Sequence, residues 1–359
     1  MLIFNSCNDL KLKEFLQKNH NFTFLHFTGK MLGIGAPYNS IKSINKINQL
    51  KKRKSSKGYI ILMPQKKWLQ DFGLEVNKTQ RRLIQQYWPG DLTILFKDGE
   101  NRFQPVSLDK KVAVRVPTNF QLRKFIEIIG IPIISTSINE SGQNPVTDIA
   151  EIESGFNNWF DFMLLPKELQ TTGTESSSIV DCTDNEINVL REGMISRDDL
   201  LTAIKNPLIL FICTGNICRS PLAEFYARTL IKQQNLPFRT KSAGFLGTGH
   251  KISQNSEILL NEININAQNH RSTMLNEEVL DNSWLILTME ERHKLEILKY
   301  KPEAENKVFT LSEYCGKNYC ENSNDISDPY GSDLASYKKT FDLIKIRVEC
   351  LIKKISQEV

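Results

Sequence analysis

Cys213 and Arg219 are separated by five residues, and such a pair could carry out chemistry on a phosphate ester. A cysteine thiolate is a strong nucleophile, and cations or a helix N-terminus lower the pKa of such a cysteine to about 3.5–7.5. An arginine offers a planar fork that can hold two phosphate oxygens at once. The spacing alone also fits a buried structural cysteine followed by a surface arginine, so the surrounding elements have to decide between the two interpretations.

The residues around this pair predict a strand, a loop and a helix. Residues 208–212 form an uninterrupted apolar run, which is typical of a strand buried on both faces. Ser220 followed by Pro221 is typical of a helix start, with the serine as N-cap and the proline as the first helical residue. The loop between strand and helix can therefore turn its backbone N–H groups towards an anion, and the helix N-terminus adds partial positive charge. This setting favours a phosphate-binding loop.

Strands and helices continue to alternate through the rest of the C-terminal part. Further strands are predicted at 240–243, a short strand end before a glycine-rich loop, and at 284–289 and 307–311. Helical patterns predict helices at 253–262, 290–298 and 332–356. Such alternation is typical of a parallel sheet covered by helices on both faces. We therefore expect an α/β fold in which a four-stranded parallel sheet is flanked by helices.

The first 205 residues are also mixed α/β but less regular. Apolar segments predict strands at 59–62, 91–96, 112–116, 131–135, 177–181 and 188–191, with helices between them. A further helix is predicted from Ser196 to about Ile204, directly before Lys205-Asn206-Pro207. We place the boundary there, so that residues 1–205 and 206–359 form two domains.

Bulk composition excludes several classes of protein. Of the 359 residues, 40% are apolar and 24% are charged, which is ordinary for a globular protein and unlike a disordered or fibrous one. The net charge of +5 suits anionic substrates but does not by itself indicate nucleic-acid binding. Seven cysteines without framework spacing are typical of free thiols in a reducing compartment. Because we find no signal peptide and no apolar run of about 18 residues, we expect a soluble cytoplasmic protein with no membrane partner.

The loop from Cys213 to Pro221 reads CTGNICRSP and closely resembles the phosphate-binding loop of low-molecular-weight protein tyrosine phosphatases. The resemblance covers essentially all of 207–357. It implies a phosphatase acting on a phosphorylated protein, in which Cys213 attacks phosphorus to give a phosphocysteine and Arg219 holds the phosphate. It also implies that Asp328, in an Asp-Pro pair far downstream, protonates the leaving group and then activates water. No metal and no cofactor are implied for this reaction.

The resemblance further implies a network that supports the loop. Asn216 resembles the family's asparagine that helps to hold the loop in shape. Ser220 resembles the serine whose hydroxyl faces the thiolate, and Ser242 and His270 resemble the outer positions that brace the asparagine. A lone histidine is more often structural than catalytic, so a supporting role is expected for His270.

Substrate contacts are implied in the same way. Tyr330 resembles the aromatic wall that stacks on a phosphotyrosine ring, and Cys218 resembles the second cysteine that can trap the nucleophile as a disulfide. The implied substrate-binding residues are Thr214, Gly215, Asn216, Ile217, Cys218, Ser220 and Tyr330.

A related branch of this family removes phosphate from arginine and has threonine where Ile217 stands. A β-branched apolar residue at that position should favour the flat phosphotyrosine ring and crowd a guanidinium with its attacking water. We therefore expect a preference for phosphotyrosine. The stretch from Asp328 to Ser332 resembles the arginine branch as well, so phosphoarginine stays open as an alternative.

The N-terminal half resembles the YrdC-like family of threonylcarbamoyl-AMP synthases over roughly 20–195. The matching stretches lie at 87–93, 112–117, 135–142, 177–181 and 190–193. Enzymes of that family combine ATP, bicarbonate and threonine into an adenylate that is used for tRNA modification, so the resemblance implies these partners, with magnesium accompanying ATP. The implied nucleotide and threonine site comprises Thr28, Lys51, Arg53, Arg115, Ser137, Asn139, Ser177 and Arg191.

One segment departs from the family pattern. The opening motif Pro-Thr-(Asp or Glu)-Thr-x-Tyr-Gly aligns with residues 27–33, where only Thr28 and Gly33 are retained. Lys51 and Arg53 also fit a solvated basic run, KKRKSSK. Three hypotheses therefore stay open for this half: a degenerate synthase, an active synthase in a bifunctional enzyme, and a module that binds a nucleotide or an RNA backbone.

Overall fold

The computed structural model describes residues 2–52, 58–169, 172–184, 186–246, 249–316 and 325–357. Arg53, one of the residues implied for the nucleotide site, lies outside the described residues. The chain divides into two compact units, Met1–Arg197 and Asp198–Val359. The division falls at the start of a helix, α7 (Arg197–Lys205), whereas the sequence places the domain boundary just after that helix.

The described part of the first unit contains a ten-stranded mixed sheet. Its strands are β1 (Leu2–Phe4), β2 (Phe24–Phe27), β3 (Leu32–Pro37), β4 (Ile60–Leu62), β5 (Leu92–Lys97), β6 (Lys111–Arg115), β7 (Ile133–Thr136), β8 (Phe162–Leu164), β9 (Ser178–Asp181) and β10 (Asn188–Arg191). They follow the order β1-β8-β2-β3-β7-β4-β6-β5-β9-β10, with parallel and antiparallel pairs. The sequence predicts six of these strands and misses β1, β2, β3 and β8.

Helices border the strands of this unit. They are α1 (Leu10–Lys18), α2 (Ile41–Leu50), α3 (Trp68–Asp71), α4 (Lys78–Tyr87), α5 (Phe120–Ile129) and α6 (Ile149–Gly155), with a short 3-10 turn at Asn157–Trp159. Phenylalanines form the core on one side of the sheet: Phe24 stacks on Phe162 with 5.2 Å between ring centroids, and Phe125 lies 4.9 Å from Phe24. Such rings bury large apolar areas, so this cluster holds α5 against β2 and β8.

The described part of the second unit contains the predicted four-stranded parallel sheet. Its strands are β11 (Leu208–Cys213), β12 (Arg239–Gly244), β13 (Ser283–Thr288) and β14 (Val308–Thr310), in the order β12-β11-β13-β14. All three neighbouring pairs are parallel, and every residue of β11 and β13 is buried, as expected for a sheet covered on both faces. The fold class predicted from the sequence is confirmed.

The helices of this unit are α8 (Arg219–Gln233), α9 (Gln254–Glu262), α10 (Glu277–Asp281), α11 (Glu291–Tyr300), α12 (Leu311–Cys315) and α13 (Leu334–Ser356), with a 3-10 turn at Pro302–Asn306. Ser253 caps α9 as predicted, since its side chain accepts the N–H of Ser256. The predicted cap of α8 is wrong: the helix begins at Arg219 and its N-cap is Cys218. The Ser220 hydroxyl is instead engaged by the sulfur of Cys213, so it does not cap the helix.

Within the described residues, no helix is both long enough and apolar enough to cross a membrane.

Candidate active site

The site forms where two neighbouring parallel strands end. Cys213 is the last residue of β11, and Glu290 follows the end of β13 by two residues. Because parallel strands end at the same edge of a sheet, the loop after β11 and the segment after β13 meet there. Arg219 joins them from the first turn of α8, and its side chain is 1% exposed.

The shape of the loop depends on Asn216, whose backbone φ of 51° lies in the left-handed region. Asparagine is one of the few residues other than glycine that adopt this conformation readily. Its side-chain N–H group donates to Ser220 Oγ at 3.0 Å and to Ser242 Oγ at 2.8 Å, and its Oδ1 accepts the N–H of Thr273 at 2.8 Å. His270 Nε2 donates to the backbone carbonyl of Asn216 at 2.8 Å. Ser242 and His270, the two positions that the resemblance named, are therefore both hydrogen-bonded to Asn216.

The sulfur of Cys213 receives hydrogen bonds from two directions. Ser220 Oγ lies 3.0 Å from it, and the N–H of Asn216 points at it from 3.3 Å. Because Ser220 Oγ already accepts from Asn216 Nδ2, its single hydroxyl proton is available to the sulfur. Donors of this kind stabilise a thiolate more than a thiol.

Several N–H groups of the loop are not engaged in hydrogen bonds. Within the described chain, no hydrogen bond engages the backbone N–H of Gly215, Ile217 or Cys218. Arg219 Nε is buried and has no partner among the described residues. Unpaired N–H groups at the start of a helix are a ready anion site, so the loop can bind a phosphate group.

Both Nη atoms of Arg219 donate to acceptors of the protein. Nη1 donates to Glu290 Oε1 at 2.5 Å and to the carbonyl of Ile326 at 2.8 Å, and Nη2 donates to Asp328 Oδ2 at 2.5 Å. Asp328 Oδ1 in turn accepts the N–H of Tyr330 at 3.2 Å. The structure thus brings together Cys213, Arg219 and Asp328, which the resemblance named as a group.

Sequence reasoning missed Glu290 and its neighbours. Burial alone would raise the pKa of Glu290, but hydrogen bonds from Arg292 and Arg219 lower it to about 2. His293 Nε2 lies 3.0 Å from Thr214 Oγ1 in the loop, and burial lowers the pKa of this histidine to about 4, so its ring is neutral at pH 7. The position of Glu290 in the sequence could have indicated its role. Polar residues that directly follow a buried strand adjacent to β11 must lie near Cys213.

A pocket of about 340 Å³ opens over the loop. Its lining includes Ile217 and Cys218 from the loop, together with Asp328 and Tyr330. Two further lining residues, Leu246 and His250, had not been expected from the sequence. Tyr330 is 71% exposed and Leu246 is 60% exposed, so the mouth of the pocket presents apolar and aromatic surface to a ligand. Cys218 is bonded to the hydroxyl of Tyr337 at 3.2 Å, and burial raises the pKa of its thiol.

The first unit has a cavity of its own, with a volume of about 550 Å³. Five residues that the resemblance implied lie in its wall: Thr28, Arg115, Ser137, Ser177 and Arg191. The cavity therefore gathers most of the residues implied for the nucleotide and threonine site.

The two arginines of this cavity are engaged by the protein itself. Arg115 donates through Nε to the carbonyl of Gly90 at 2.8 Å and through Nη2 to the carboxylate of Asp91. Arg191 donates to the carbonyl of Ser177 through Nε at 3.0 Å and through Nη2 at 2.8 Å. Burial lowers the pKa of both guanidinium groups.

Lys51 and Asn139 are not in the wall of the cavity. Lys51 is 4% exposed, and its ammonium group donates to the carbonyls of Ser137 and Asn139 at 2.5 and 2.8 Å and to Asn139 Oδ1 at 2.7 Å. Ser137 Oγ donates to the same Oδ1 at 2.6 Å. These groups stabilise the turn after β7 and one another.

The segment that departs from the family motif forms the turn between β2 and β3. Gly29 has a φ of 114°, and a Cβ placed there would lie 1.9 Å from Thr118 Oγ1. Any residue other than glycine is therefore strained at this position by its backbone conformation and would have to displace Thr118. Beside this turn, His26 is fully buried and neither ring nitrogen has a partner among the described residues, and burial lowers its pKa to about 3.

Across the described ranges, no three histidine, cysteine, aspartate or glutamate side chains are grouped so that they could hold a metal ion.

Comparison with known families divides the chain in the same way. Residues 208–359 match the family model described as "Low molecular weight phosphotyrosine protein phosphatase". Residues 28–193 match the YrdC-type family model, which carries the description "Telomere recombination".

Individual relatives match one half or the other. A protein-arginine-phosphatase of Geobacillus stearothermophilus is 36% identical over 152 residues, covering 42% of this chain and 97% of that protein. A low molecular weight protein-tyrosine-phosphatase of Acinetobacter johnsonii is 35% identical over 148 residues, covering 41% of this chain and 96% of that protein. A threonylcarbamoyl-AMP synthase of Wigglesworthia glossinidia brevipalpis is 36% identical over 129 residues, covering 35% of this chain and 66% of that protein.

Proposed function

Because the chain belongs to the low molecular weight phosphotyrosine protein phosphatase family, we propose that it hydrolyses phosphotyrosine on proteins through a covalent intermediate on Cys213. One observation carries this proposal: a sulfur that accepts two hydrogen bonds lies in a loop whose unpaired N–H groups include the buried Nε of Arg219. A nucleophile and an anion site therefore share one loop, at residues 213–219.

The first step transfers the phosphoryl group to sulfur. Phosphate enters the loop and takes Nε and Nη2 of Arg219, which displaces Asp328 from Nη2 because a phosphate dianion competes better than a carboxylate. The Cys213 thiolate forms the S–P bond as the P–O bond to the tyrosine breaks. Asp328, which takes up a proton from solvent after it leaves the guanidinium, gives that proton to the departing phenolate oxygen.

The second step returns the enzyme to its starting state. The Asp328 carboxylate takes a proton from a water molecule, and the water oxygen forms a bond to phosphorus while the S–P bond breaks. Inorganic phosphate leaves and the thiolate is restored. Ser220, 3.0 Å from the sulfur, stabilises the thiolate as the leaving group by its hydrogen bond. Glu290 holds Nη1 throughout, so the guanidinium plane stays fixed while Nη2 exchanges partners.

Residue 217 is the basis for choosing tyrosine. Ile217 contributes a β-branched apolar side chain to the pocket wall, which also includes the exposed ring of Tyr330. A flat aromatic ring packs well between two such surfaces, whereas a guanidinium and its attacking water lose hydrogen-bonding partners there. Phosphoarginine is the second candidate substrate, because the Geobacillus relative is a protein-arginine-phosphatase.

A pair of phosphopeptides with the same sequence, one carrying phosphotyrosine and the other phosphoarginine, tests this choice in the full chain. We expect kcat/KM for phosphotyrosine to be higher by at least about 10-fold, or about 1.4 kcal/mol. Ile217→Thr should reduce that ratio, because its hydroxyl can bond a guanidinium or water. Ile217→Val introduces a side chain with the shape of threonine but without the hydroxyl, so this variant should preserve the preference for phosphotyrosine. Faster turnover of phosphoarginine by the unmodified protein would reverse the assignment.

For the first domain, which we place at residues 1–205 with the phosphatase domain at 206–359, our proposal is a YrdC-like fold that has lost threonylcarbamoyl-AMP synthesis. The observation that favours it is the engagement of Arg115, Arg191 and Lys51 by groups of the protein itself. An active synthase would need free cations for the phosphates of ATP with magnesium, and polar groups for threonine and bicarbonate. Synthesis by the full chain would instead make the protein bifunctional.

A cytoplasmic location fits this chemistry, since Cys213 has to remain a reduced thiol to act as a nucleophile.

A further inference from the structure

A second cleft of about 700 Å³ lies in the phosphatase unit, on the side of the sheet edge formed by β12. Arg239 and Lys241 alternate with buried residues along this strand, so both point to its solvent side. Arg228 of α8 and Arg271, in the segment after α9, line the same cleft. Four cationic side chains therefore line one concave surface, which contains none of the residues of the pocket above Cys213.

Acidic groups compensate this charge only in part. The carboxylates in the lining are Glu224 and Glu278. Glu224 is already engaged, since it pairs with Arg228 and accepts the hydroxyl of Ser242. By contrast, no carboxylate lies within ion-pair distance of Arg239, Lys241 or Arg271 in the part of the chain that the structure describes. Arg239 donates through Nε to the carbonyl of Asn206, and Arg271 donates through Nη1 to the carbonyls of Gln268 and His270. These bonds leave the positive charges uncompensated, so the cleft has a surplus of positive charge that favours an anion.

The remainder of the lining is polar as well. Asparagine side chains, among them Asn266, Asn269 and Asn276, line the cleft beside the cations. A carboxamide both donates and accepts hydrogen bonds, so it can bind hydroxyl groups and heterocyclic nitrogens that a cation cannot distinguish. A volume of about 700 Å³ lies in the range of clefts that take up small ligands.

From these features we infer that the β12 cleft, defined by Arg228, Arg239, Lys241 and Arg271, is a binding site for a phosphate-bearing small molecule. The phosphate groups lie against the cations, and the polar remainder of the ligand lies against the asparagines. This site is separate from the reaction at Cys213, and its existence does not depend on the substrate proposed there.

The wall of the cleft also reaches the catalytic loop. Ser242 and His270 belong to the lining, and each is bonded directly to Asn216. These two residues are left unchanged in the test below, because altering them would disturb the loop itself.

Binding can be measured in the full chain by calorimetric titration with tripolyphosphate while an aryl phosphonate saturates the pocket above Cys213. We expect Arg239→Glu/Lys241→Glu to weaken the affinity for tripolyphosphate at least about 10-fold. This difference from the unmodified chain should become smaller as the salt concentration rises. The control is Lys299→Glu/Lys353→Glu, which changes net charge equally at exposed positions outside the cleft and should stay within about 2-fold of the unmodified chain. Both variants should hydrolyse an aryl phosphate at the unmodified rate, which shows that the fold is intact.

Titrations with inorganic phosphate and with ATP identify the kind of ligand. If ATP binds more tightly than tripolyphosphate, and if only Arg239→Glu/Lys241→Glu loses this binding, the asparagines recognise a nucleoside. Equal binding would mean that the site takes phosphate groups without the remainder. If both double variants bind tripolyphosphate alike, or if the unmodified chain does not bind it, the inference is wrong. The cations are then solvated side chains that protect the exposed edge of β12 from pairing with another strand.

Discussion

Arg219 in the second unit and Arg115 in the first are both buried arginines paired with an aspartate, but they differ in what they leave available. Arg219 keeps Nε without a partner beside a loop with three unengaged N–H groups. Arg115 donates through Nε to a backbone carbonyl and through Nη2 to Asp91. The first arrangement has a free Nε ready for a phosphate, whereas Nε of Arg115 is already bonded to the carbonyl of Gly90.

The same contrast extends to the neighbouring residues. Around Asn216, the hydrogen bonds run between side chains and the loop and end at the sulfur of Cys213. Around Asn139, the bonds from Lys51 and Ser137 end within the turn itself. A buried polar network can therefore either prepare a nucleophile or only stabilise a turn, and the free donors distinguish the two cases.

Removing the nucleophile should have the largest effect. We expect Cys213→Ser to lower turnover of an aryl phosphate by about 10⁴-fold or more, because a serine hydroxyl has no comparable anionic form at neutral pH. Cys218→Ser is the matched control in the same loop and should retain activity within about 10-fold. Substantial turnover by Cys213→Ser would show that the second unit does not depend on a prepared nucleophile, and the contrast with the first unit would then be wrong.

Replacing the acid should have the next largest effect. Asp328→Asn should lower the rate by about 10²–10⁴-fold for substrates with poor leaving groups, which depend on a proton. The loss should shrink for an aryl phosphate whose phenolate leaves without one. An equal loss for both substrates would mean that Asp328 acts through its ion pair with Arg219 and not as an acid.

Glu290→Gln should have a smaller effect, since the amide preserves the shape and removes the charge that fixes Arg219. We expect kcat/KM to fall about 10-fold, whereas Glu291→Gln next to it should leave kcat/KM unchanged.

The pH dependence of stability gives a second measurement on the same variant. The folded-state pKa of Glu290, about 2, lies below its ordinary value, so its contribution to stability is present above about pH 4.5 and is lost as pH falls through 2. Urea unfolding at several pH values should show the unmodified chain and the variant converging towards pH 2. A constant difference across that range would contradict the assigned ion pair.

Much of the second unit could be predicted because its information is local. The run before Cys213 and the loop after it specify strand, turn and helix within a few residues, and the resulting parallel sheet is confirmed. The role of Glu290 could not be predicted this way, since its partner Arg219 is 71 residues away in sequence. The cap of α8 was wrong because Ser220 bonds a sulfur and not the helix backbone.

The first unit was harder to predict for a different reason. β3 reads LGIGAP, with two glycines and a proline that are disfavoured in strands. The glycines are required because the His26 ring packs against them: a Cβ at Gly33 would lie 2.8 Å from His26 Cε1. Contacts across the β2–β3 pair therefore override the local preferences of the sequence.

The smallest expected effect tests whether the first unit can regain its family's reaction. We expect the full chain to make little or no threonylcarbamoyl-AMP from threonine, bicarbonate and ATP. Gly29→Glu combined with Leu32→Tyr restores two residues of the family motif, yet we expect no gain in product. Position 29 has a φ of 114°, and the new Cβ would collide with Thr118 Oγ1.

The acid would therefore be present in the sequence but could not occupy the turn without moving it, at a cost of about 1–3 kcal/mol. Gly29→Ala is the control for this cost. It should lower the unfolding temperature about as much as the double variant does, although it adds no carboxylate. Radiolabelled threonine incorporation measures the product, and a thermal scan measures the strain. Robust synthesis by the unmodified chain, or by the double variant, would show that the cations of this cavity are released by substrate, as we propose for Arg219.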